Sequence, residues 1–186
     1  MYNARLSKQI YQELKNGKII NKHRLDNAAR FVQNELFTEI MVNEEDYRKQ
    51  FEMSGYEFVL TESFVLIREQ GRDSATLKTD MTMKAYILLL LLGKYLNEQN
   101  YRFTKLTASD GGLTVGDINA VGQMPDTTEL LEKSGMKNGL MNNIKNVLVK
   151  RNILLEKASS ETYILSDAGK AFFQEILTNH LYQAHS

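Results

Sequence analysis

Three histidines are the first candidates for chemistry in this sequence. His180 and His185 stand five positions apart, and His23 is remote from both. Two metal ligands on one helix face need a spacing of four residues, as in zinc-binding helices. We therefore expect no metal site and interpret all three histidines as solvated surface residues.

A glycine-rich segment from Gly111 to Gly116 precedes a predicted helix. A phosphate-binding loop needs a lysine and a hydroxyl residue directly after its last glycine, because the cation neutralises the phosphate. Asp117 stands at that position, and an acid repels phosphate. We interpret the segment as a flexible connection into the helix, so the sequence argues against this type of nucleotide site.

Glu44, Glu45 and Asp46 form a run of acids that could be read as a metal or general-acid cluster. Carboxylates in the first turn of a helix are stabilised by the helix dipole, so the run needs no chemical role. The chain has no cysteine, which excludes a thiol nucleophile, a thiolate metal site and a disulfide. Together these residues predict a protein that is not an enzyme and holds no cofactor.

Charge and hydropathy restrict the class of protein further. The chain carries 23 basic and 23 acidic residues, so a nucleic-acid contact must come from a local patch and not from bulk charge. The start of the chain is polar, and the apolar run Ile87–Leu92 is far shorter than the roughly 20 residues of a membrane span. We expect a cytoplasmic protein and interpret the run as part of a buried helix.

The first half of the chain reads as three helices followed by a hairpin. Apolar residues recur at helical spacing in two segments, and Asn43 is a suitable N-cap for a third helix with an acidic first turn. A strand pair with alternating aromatic and aliphatic residues follows. The predicted elements are helices over Leu6–Leu14, Leu25–Met41 and Glu44–Met53, and strands over Tyr56–Leu60 and Phe64–Ile67.

The second half repeats this order and adds a final helix. Its first helix is apolar nearly all round and should be the most buried element. The predicted helices are Met81–Asn97, a short one capped by Thr114 and ending near Val121, Thr127–Lys133, Met136–Arg151, and one from Ser166 or Asp167 to about Leu181 with Phe172, Phe173, Ile176 and Leu177 inward. The predicted hairpin lies between the last two, with strands Ile153–Lys157 and Thr162–Ser166.

Helices followed by a two-stranded hairpin, twice in one chain, are typical of winged-helix domains. A hairpin alone is unstable in water and must lie against the helices. The sequence thus predicts an α+β, mostly helical fold with two winged-helix domains in tandem. The predicted domains are residues 1–70 and 81–186, joined by a polar linker over residues 71–80.

The helix before each hairpin distinguishes the two predicted domains. In a DNA-reading winged helix it enters the major groove and needs basic or amide side chains. In the first half it is acid-rich, and Glu44–Asp46 with Glu52 would repel phosphates. We expect this domain to mediate dimerisation and protein binding. The aromatic residues of its hairpin are either anchors for a partner or part of the core beneath the hairpin. The candidate protein-binding residues are Tyr56, Phe58 and Phe64.

The corresponding helix of the second half has the opposite composition. No acid occurs between Glu132 and Glu156, and lysine, arginine and asparagine are interleaved there. Such side chains can contact phosphates and bases, although the solvated helix face of a protein-binding module has the same composition. The candidate DNA-binding residues are Lys137, Asn138, Asn142, Lys145, Lys150 and Arg151.

Several of these segments together carry a resemblance to a known family. They are the opening helix with Gly17 and Ile19-Ile20, the Leu25–Met41 segment running into acids, the aromatic hairpin from Tyr56 to Ile67, the apolar helix from Met81, and the stretch from Leu140 to Leu155. From about Leu6 to Leu181 the chain resembles the MukE/MksE family. These are the kleisin-interacting tandem winged-helix subunits of bacterial condensins, with the JetC-like Wadjet subunits among them.

The resemblance implies function and partners. It implies a cytoplasmic, nucleoid-associated homodimer that binds a MukF/MksF-like kleisin and, through the kleisin, a MukB/MksB-like SMC ATPase. Such subunits act in chromosome organisation and segregation or, for the JetC type, in defence against plasmids. The resemblance implies no catalytic residue and no cofactor, and it assigns the kleisin contact, with non-specific DNA contact, to the second domain.

A second hypothesis is a winged-helix transcription regulator that places the cationic helix of the second domain on operator DNA. A regulator prefers one DNA sequence by roughly a thousandfold or more, whereas a condensin subunit has no such preference. Sequence specificity of DNA binding therefore separates the two hypotheses.

Overall fold

The computed structural model describes residues 2–70, 72–157 and 159–184, with only the backbone for residues 72–79 and 179–184. The chain is 54% helical and carries small antiparallel sheets. The α+β, mostly helical fold class predicted from the sequence is confirmed.

The first half, as described over residues 2–70, contains three helices and five short strands. Strands β1, β5 and β4 form one antiparallel sheet in that order, with Ile20 opposite Val65 and Phe58 opposite Ile67. Strands β2 and β3 form a separate antiparallel hairpin. The elements are α1 Ala4–Lys15, β1 Ile20–Asn21, β2 His23–Leu25, β3 Phe31–Gln33, α2 Glu35–Val42, α3 Glu44–Met53, β4 Tyr56–Leu60 and β5 Phe64–Glu69.

Helix α1 follows from its apolar spacing and its N-cap. Leu6, Ile10 and Leu14 recur at helical intervals, and all three are buried in the core of the first half. The side-chain oxygen of Asn3 accepts hydrogen bonds from the backbone N–H groups of Arg5 and Leu6, which satisfies two of the free donors at the helix start. The predicted first helix is confirmed.

The predicted helix over Leu25–Met41 is wrong in its first part, where the chain forms the β2–β3 hairpin. The Asp26 carboxylate accepts hydrogen bonds from the N–H groups of Ala28 and Arg30 and so closes the turn of this hairpin. Helix α2 begins only after Asn34, whose side chain accepts from the Leu36 N–H. The apolar residues of the hairpin fell at helical spacing, but these local polar side chains decide the backbone conformation.

The second half contains six helices and one hairpin within its described residues. An isolated antiparallel bridge joins Leu113 to Tyr163 in the second strand of this hairpin. The elements are α4 Arg72–Glu98, α5 Thr104–Thr107, α6 Val115–Gly122, α7 Thr127–Lys133, α8 Leu140–Asn143 with a π-helical continuation Ile144–Val149, β6 Leu154–Lys157, β7 Thr162–Leu165 and α9 Asp167–Ala184.

Two boundaries in the second half differ from prediction. Helix α4 starts at Arg72, so the backbone of the predicted linker, residues 71–80, is helical from its second residue, while the side chains of residues 71–79 lie outside the described part. The helix predicted from Met136 begins only at Leu140, because Asn138 and Gly139 have left-handed φ angles of 73° and 81° that a helix does not allow. Where the domains divide remains a prediction.

The core of the second half is the larger of the two, and α4 runs through it. Leu88, Leu89 and Leu92 are fully buried against the other helices of this half. Ile19 and Phe64 of the first half are also part of this cluster. None of the described helices has both the length and the apolar character that crossing a membrane requires.

Hydrogen bonds join the two halves at a contact that we call the junction, between residues 19–23 and residues 151–168. The backbone N–H of Ile19 donates to the Arg151 carbonyl oxygen at 3.1 Å. The Asn21 side chain donates to the Asn152 carbonyl at 2.9 Å and accepts from the Ala168 N–H at 2.8 Å. In return, the Asn152 side chain donates to the Ile19 carbonyl at 3.0 Å.

Two further contacts extend the junction to the start of α9. The backbone N–H of His23 donates to the Asp167 carboxylate at 2.8 Å, and the His23 Nδ1 lies 3.2 Å from the same oxygen. The rings of Phe64 and Phe172 pack edge to face, with centroids 5.6 Å apart. The two halves therefore share both polar and apolar contacts.

Both halves follow the element order that the sequence predicted. Each begins with a helix of at least 12 residues and continues through further helices to an antiparallel hairpin, and in the second half α9 follows that hairpin. The β2–β3 hairpin is an addition to this order in the first half. The specific assignment of two winged-helix domains remains a prediction.

Candidate functional site

The candidate DNA-binding residues lie on one continuous stretch of the second half, residues 137–151. Two precede α8, one lies in α8, one in the π-helical continuation, and two in the turn after it. All are exposed except Arg151, which is half-buried. In order along the chain they are Lys137, Asn138, Asn142, Lys145, Lys150 and Arg151.

Two asparagines in this stretch, Asn142 and Asn143, fix the backbone through their side chains. The Asn142 side-chain nitrogen donates to the Asn138 carbonyl at 2.8 Å. The Asn143 nitrogen donates to the carbonyls of Lys137 and Gly139 at 2.9 and 2.7 Å. Bidentate reading of an adenine needs a free amide N–H and a free oxygen, so Asn142 in this conformation is better suited to positioning the lysines than to reading a base.

The lysines of this stretch point into solvent without an acid to neutralise them. Within the described residues, Lys137, Lys145 and Lys150 have no carboxylate oxygen within 4.0 Å of their ammonium groups. The Lys150 N–H donates to the Lys145 carbonyl five residues earlier, the bond of a π-helix. Such turns are rare and occur frequently at functional sites. The three ammonium groups are available to an anionic partner.

Arg151 differs from the lysines because it is half-buried at the junction. Its guanidinium donates to the Asn146 carbonyl at 3.1 Å. Burial lowers the pKa of Arg151 below its ordinary value, through desolvation of the charged form. No carboxylate in the described part of the chain compensates this desolvation, so Arg151 would gain from contact with an external anion.

The acidic helix of the first half has a structural explanation. Glu44–Asp46 occupy the first turn of α3, and the Glu44 carboxylate pairs with Arg48 at 2.7 Å. Asn43 precedes the helix as predicted, but its side chain makes no capping bond and instead donates to the Glu39 carbonyl. The carboxylates are thus placed where the positive end of the helix dipole stabilises them.

The three aromatic residues proposed as protein-binding anchors are mostly core residues. Phe58 and Phe64 are 4% and 7% exposed, so neither presents its ring to a partner in this structure. Tyr56 is half-buried, packs edge to face on Phe51, and its hydroxyl accepts a hydrogen bond from Lys15. A protein-binding role for these residues remains a prediction. Of the three, only Tyr56 is exposed enough to contact a partner in this structure.

An apolar groove between α4 and α9 was not predicted from the sequence. Its volume is about 410 Å³, and it is open to solvent. Leu177, which was predicted to point inward, is 43% exposed at its edge. The nearly all-apolar composition of α4 indicates that one of its faces could stay uncovered, but periodicity alone does not tell which face that is. The apolar side chains that line the groove and remain exposed are Leu90, Tyr101, Phe103 and Leu177.

The histidines do not form a metal site in the described residues. Within this part of the chain, no three His, Cys, Asp or Glu side chains converge in a way that could hold a metal ion. The His180 side chain and His185 lie outside the described residues. His23 is not a freely solvated residue as predicted, because it contacts Asp167 at the junction.

The glycine-rich segment ends in a capping box and not in a phosphate site. The Thr114 hydroxyl accepts from the Asp117 N–H at 3.0 Å, and the Asp117 carboxylate accepts from the Thr114 N–H at 2.8 Å. The Tyr95 hydroxyl and the Lys105 ammonium also contact this carboxylate. Burial opposes ionisation of Asp117, but these hydrogen bonds and Lys105 outweigh it and hold its pKa below the usual 3.8.

These features define a mostly helical α+β protein with an uncompensated cationic stretch and an open apolar groove in its described residues. A family model described as condensin complex protein MksE matches residues 5–177. The chain belongs to this family of condensin complex proteins, as its resemblance to MukE/MksE predicted. No curated protein matches the chain.

Proposed function

We propose that the chain is a non-catalytic subunit of a MukBEF/MksBEF-like SMC complex. In this complex it forms a homodimer that binds the kleisin and, through the kleisin, the SMC ATPase. It acts in the cytoplasm on the nucleoid, in chromosome organisation and segregation or in plasmid defence. The observation that carries the proposal is the family match over residues 5–177, because it spans both halves of the chain.

The apolar groove of the second half supports a kleisin contact. Kleisin linkers are expected to be extended and partly disordered when free, so they gain affinity by laying apolar side chains into a preformed groove. Leu90, Phe103 and Leu177 are exposed at this groove and supply such a surface. We assign the kleisin contact to this groove.

Exposed apolar side chains on the first half support dimerisation. Val42 and Met53 are 75% and 89% exposed, at the ends of α2 and α3, and Met41 beside Val42 is also exposed. Large apolar side chains left in water are stabilised by burial against a partner. A second copy of the chain is the partner that we propose for this surface.

The unpaired cations of residues 137–151 support a non-specific DNA contact. Lysines that reach solvent neutralise phosphates without reading sequence. The engagement of the Asn142 amide with Asn138 favours phosphate contact over base reading. A condensin subunit has no need for a preferred sequence, so this chemistry fits the proposal.

The experiment that tests the proposal is purification of the tagged chain from its own cells at moderate salt, with mass spectrometry of the proteins that co-purify. We expect a kleisin and an SMC-like ATPase in a stable ratio. A nuclease in the same complex would assign the protein to plasmid defence. Absence of both the kleisin and the ATPase would refute the proposal.

A transcription regulator is the second candidate, because the cationic stretch directly precedes a hairpin. In the same purification a regulator would enrich one discrete DNA fragment and no SMC subunit. Its affinity for that fragment would exceed its affinity for random DNA by roughly a thousandfold.

A further inference from the structure

Cations without an acid partner are concentrated in one region of the molecule. Ion pairs such as Lys18–Glu13, Arg48–Glu44 and Lys133–Glu129 neutralise many of the basic side chains elsewhere. Among the residues whose side chains are described, twelve lysines and arginines have no carboxylate oxygen within 4.0 Å of their nitrogens. Seven of them lie in or beside the β2–β3 hairpin, in residues 137–151, or at the start of α9. These seven are Lys22, Arg24, Lys137, Lys145, Lys150, Arg151 and Lys170.

The junction brings together the chain segments that carry five of these cations, although the segments come from both halves. Lys22 follows Asn21, whose side chain binds the carbonyl of Asn152. Arg151 and Lys150 directly precede Asn152 in the sequence. Lys22 therefore directly follows a residue of this contact, and Arg24 lies two residues further along, in β2.

The hairpin also contacts the start of α9, which supplies the fifth cation. The Lys170 ammonium lies 4.6 Å from the ring centroid of Phe31 in β3. Two acids of this region are already engaged, since Asp26 pairs with Arg30 at 2.9 Å and Asp167 accepts the His23 N–H. We call Lys22, Arg24, Lys150, Arg151 and Lys170 the junction surface.

The junction surface has cations but lacks apolar anchors. The large apolar side chains that are more than about a third exposed occur at other positions, and none lies between Tyr11 and Met41 or between Leu130 and Leu177 in the described residues. Protein interfaces take most of their affinity from buried aromatic and aliphatic anchors, whereas phosphate binding needs only cations and N–H donors. The chemistry of this surface fits a polyphosphate better than a protein.

We propose that the junction surface holds the phosphate backbone of duplex DNA across both halves of the molecule. This inference rests on the proposed DNA contact and adds the β2–β3 hairpin of the first half to it. Asn21 and Asn152 fix the hairpin relative to residues 150–151, so both elements meet the same stretch of DNA. Each unpaired cation neutralises a phosphate and contributes to the salt dependence of binding.

The test is fluorescence anisotropy of the full chain with a labelled duplex of mixed sequence, about 30 base pairs long, titrated at several salt concentrations. The variant K22Q/R24Q removes two cations whose side chains are at least partly exposed and form no described hydrogen bond or ion pair. We expect the slope of log affinity against log salt to fall by about two and the affinity at about 0.1 M salt to fall tenfold or more.

The matched control is K8Q/K49Q, which removes the same charge from two other cations without a carboxylate partner, on α1 and α3. We expect less than about a twofold change in affinity, since these side chains would touch no phosphate. Equal losses in both double variants, or wild-type affinity in K22Q/R24Q, would overturn the inference.

Two other outcomes separate this inference from the proposed function. If the wild-type chain binds no duplex but co-purifies with the kleisin, the junction surface is not a DNA site, while the complex remains as proposed. If K22Q/R24Q keeps its DNA affinity and loses the kleisin, the surface binds an acidic protein and the inference is wrong.

Discussion

At the scale of single residues, Asn21 has the clearest structural role. It is 3% exposed, and its amide connects the two halves by donating to the Asn152 carbonyl and accepting from the Ala168 N–H. A buried polar group that loses its partner costs about 1–3 kcal/mol. The side chain therefore stabilises the junction through groups that alanine would leave unsatisfied.

We expect Asn21→Ala to lower the free energy of unfolding by about 2–4 kcal/mol, because two backbone groups lose their partners. Urea unfolding followed by circular dichroism measures this change. Asn27→Ala is the control, since Asn27 is exposed in the turn of the β2–β3 hairpin, and its effect should stay within about 0.5 kcal/mol. Equal stabilities of the two variants would contradict the role of Asn21.

Asp117 gives a prediction about pH. Its pKa in the folded chain is lowered, so its ionised form contributes stability above the unfolded value near 3.9, and this contribution is lost as pH falls through the folded value. We expect Asp117→Asn to be about 1 kcal/mol less stable than wild type at neutral pH.

Urea unfolding at several pH values tests this expectation. The difference between wild type and D117N should persist down to about pH 4 and shrink below it, as the native carboxylate takes up its proton. A difference that stays constant down to about pH 2 would mean that the charge of Asp117 has no part in stability.

At this scale the sequence predicts the Thr114 helix cap correctly, but it does not predict which aromatic side chains are exposed. Thr114 was identified as a cap from its type and position, and its hydroxyl does accept from Asp117. The sequence does not decide whether Phe58 and Phe64 are protein-binding anchors or core residues, because alternation in a strand tells which residues share a face but not what covers that face. Only the packed structure decides that the covering is the protein's own core.

At the scale of secondary-structure elements, close approach of backbones explains one glycine. A Cβ at Gly169, in the first turn of α9, would lie 2.2 Å from the Ile153 carbonyl oxygen. That oxygen also accepts from the Ser166 N–H and hydroxyl, so it is held in place. Helix α9 can therefore meet the start of the β6–β7 hairpin only with glycine at this position.

We expect Gly169→Ala to destabilise the chain by about 3 kcal/mol, because a backbone must shift to admit the methyl group. Gly122→Ala is the matched control, since its Cβ would meet the nearest atoms, of Leu140, at 3.9 Å. It should be neutral or more stable by up to about 1 kcal/mol through helix propensity. Thermal unfolding of both variants distinguishes a tight approach from a general effect of the added methyl group.

The groove between α4 and α9 is the element-scale feature that bears on the partner. We expect Leu90→Glu and Leu177→Glu each to weaken capture of the kleisin by about tenfold, because a carboxylate would have to be buried on binding. Both leucines are already more than a third exposed, so the fold should tolerate the change.

The control is Leu130→Glu on α7, where the leucine has the same 38% exposure as Leu90. It introduces the same charge outside the groove and should leave kleisin capture within about twofold of wild type. Pull-down with tagged kleisin, titrated over protein concentration, measures all three variants. Loss of binding in L130E as well would indicate a general charge effect.

Most elements could be predicted from the sequence, because amphipathic spacing, caps and glycines act locally. The β2–β3 hairpin could not, since Leu25, Val32 and Leu36 imitate a helical stripe. The Asp26 turn that decides against the helix depends on side-chain hydrogen bonds that spacing does not reveal. The exposed groove was missed for a different reason, because an all-apolar helix gives no sign of the face that remains uncovered.

At the scale of the whole molecule, the two halves share a core cluster and a hydrogen-bonded contact. Ile19 and Phe64 of the first half are buried in the core of the second, and the junction adds hydrogen bonds between backbone and side chains. Two domains that are joined only by a flexible linker would share neither a core cluster nor such hydrogen bonds. We therefore expect the two halves to unfold together.

We expect one unfolding transition for the full chain. Circular dichroism reports the helices, which are more abundant in the second half, and tyrosine fluorescence reports both halves, so the two urea curves should coincide. Two separated transitions would show that the junction does not couple the halves. The variant N21A provides the comparison, because a weakened junction should broaden or split the transition.

The junction could not be predicted from the sequence. Asn21 and Asn152 are separated by 131 positions, and neither hydrophobic periodicity nor cap signals connect residues so far apart. The family resemblance identified the partners of the complex but not the residues that join the halves. Long-range polar pairs of this kind become visible only when the chain is folded.

The same separation has a consequence for the chain as it is synthesised. A ribosome adds about 5–20 residues per second, so roughly 7 to 26 s pass between the synthesis of Asn21 and that of Asn152, which lies 131 positions later. During that interval the emerging first half holds Ile19, Asn21 and Phe64 without their partners. Nascent chains stalled before residue 150 should therefore expose apolar surface that chaperones bind, and release should follow once the start of α9 has left the exit tunnel.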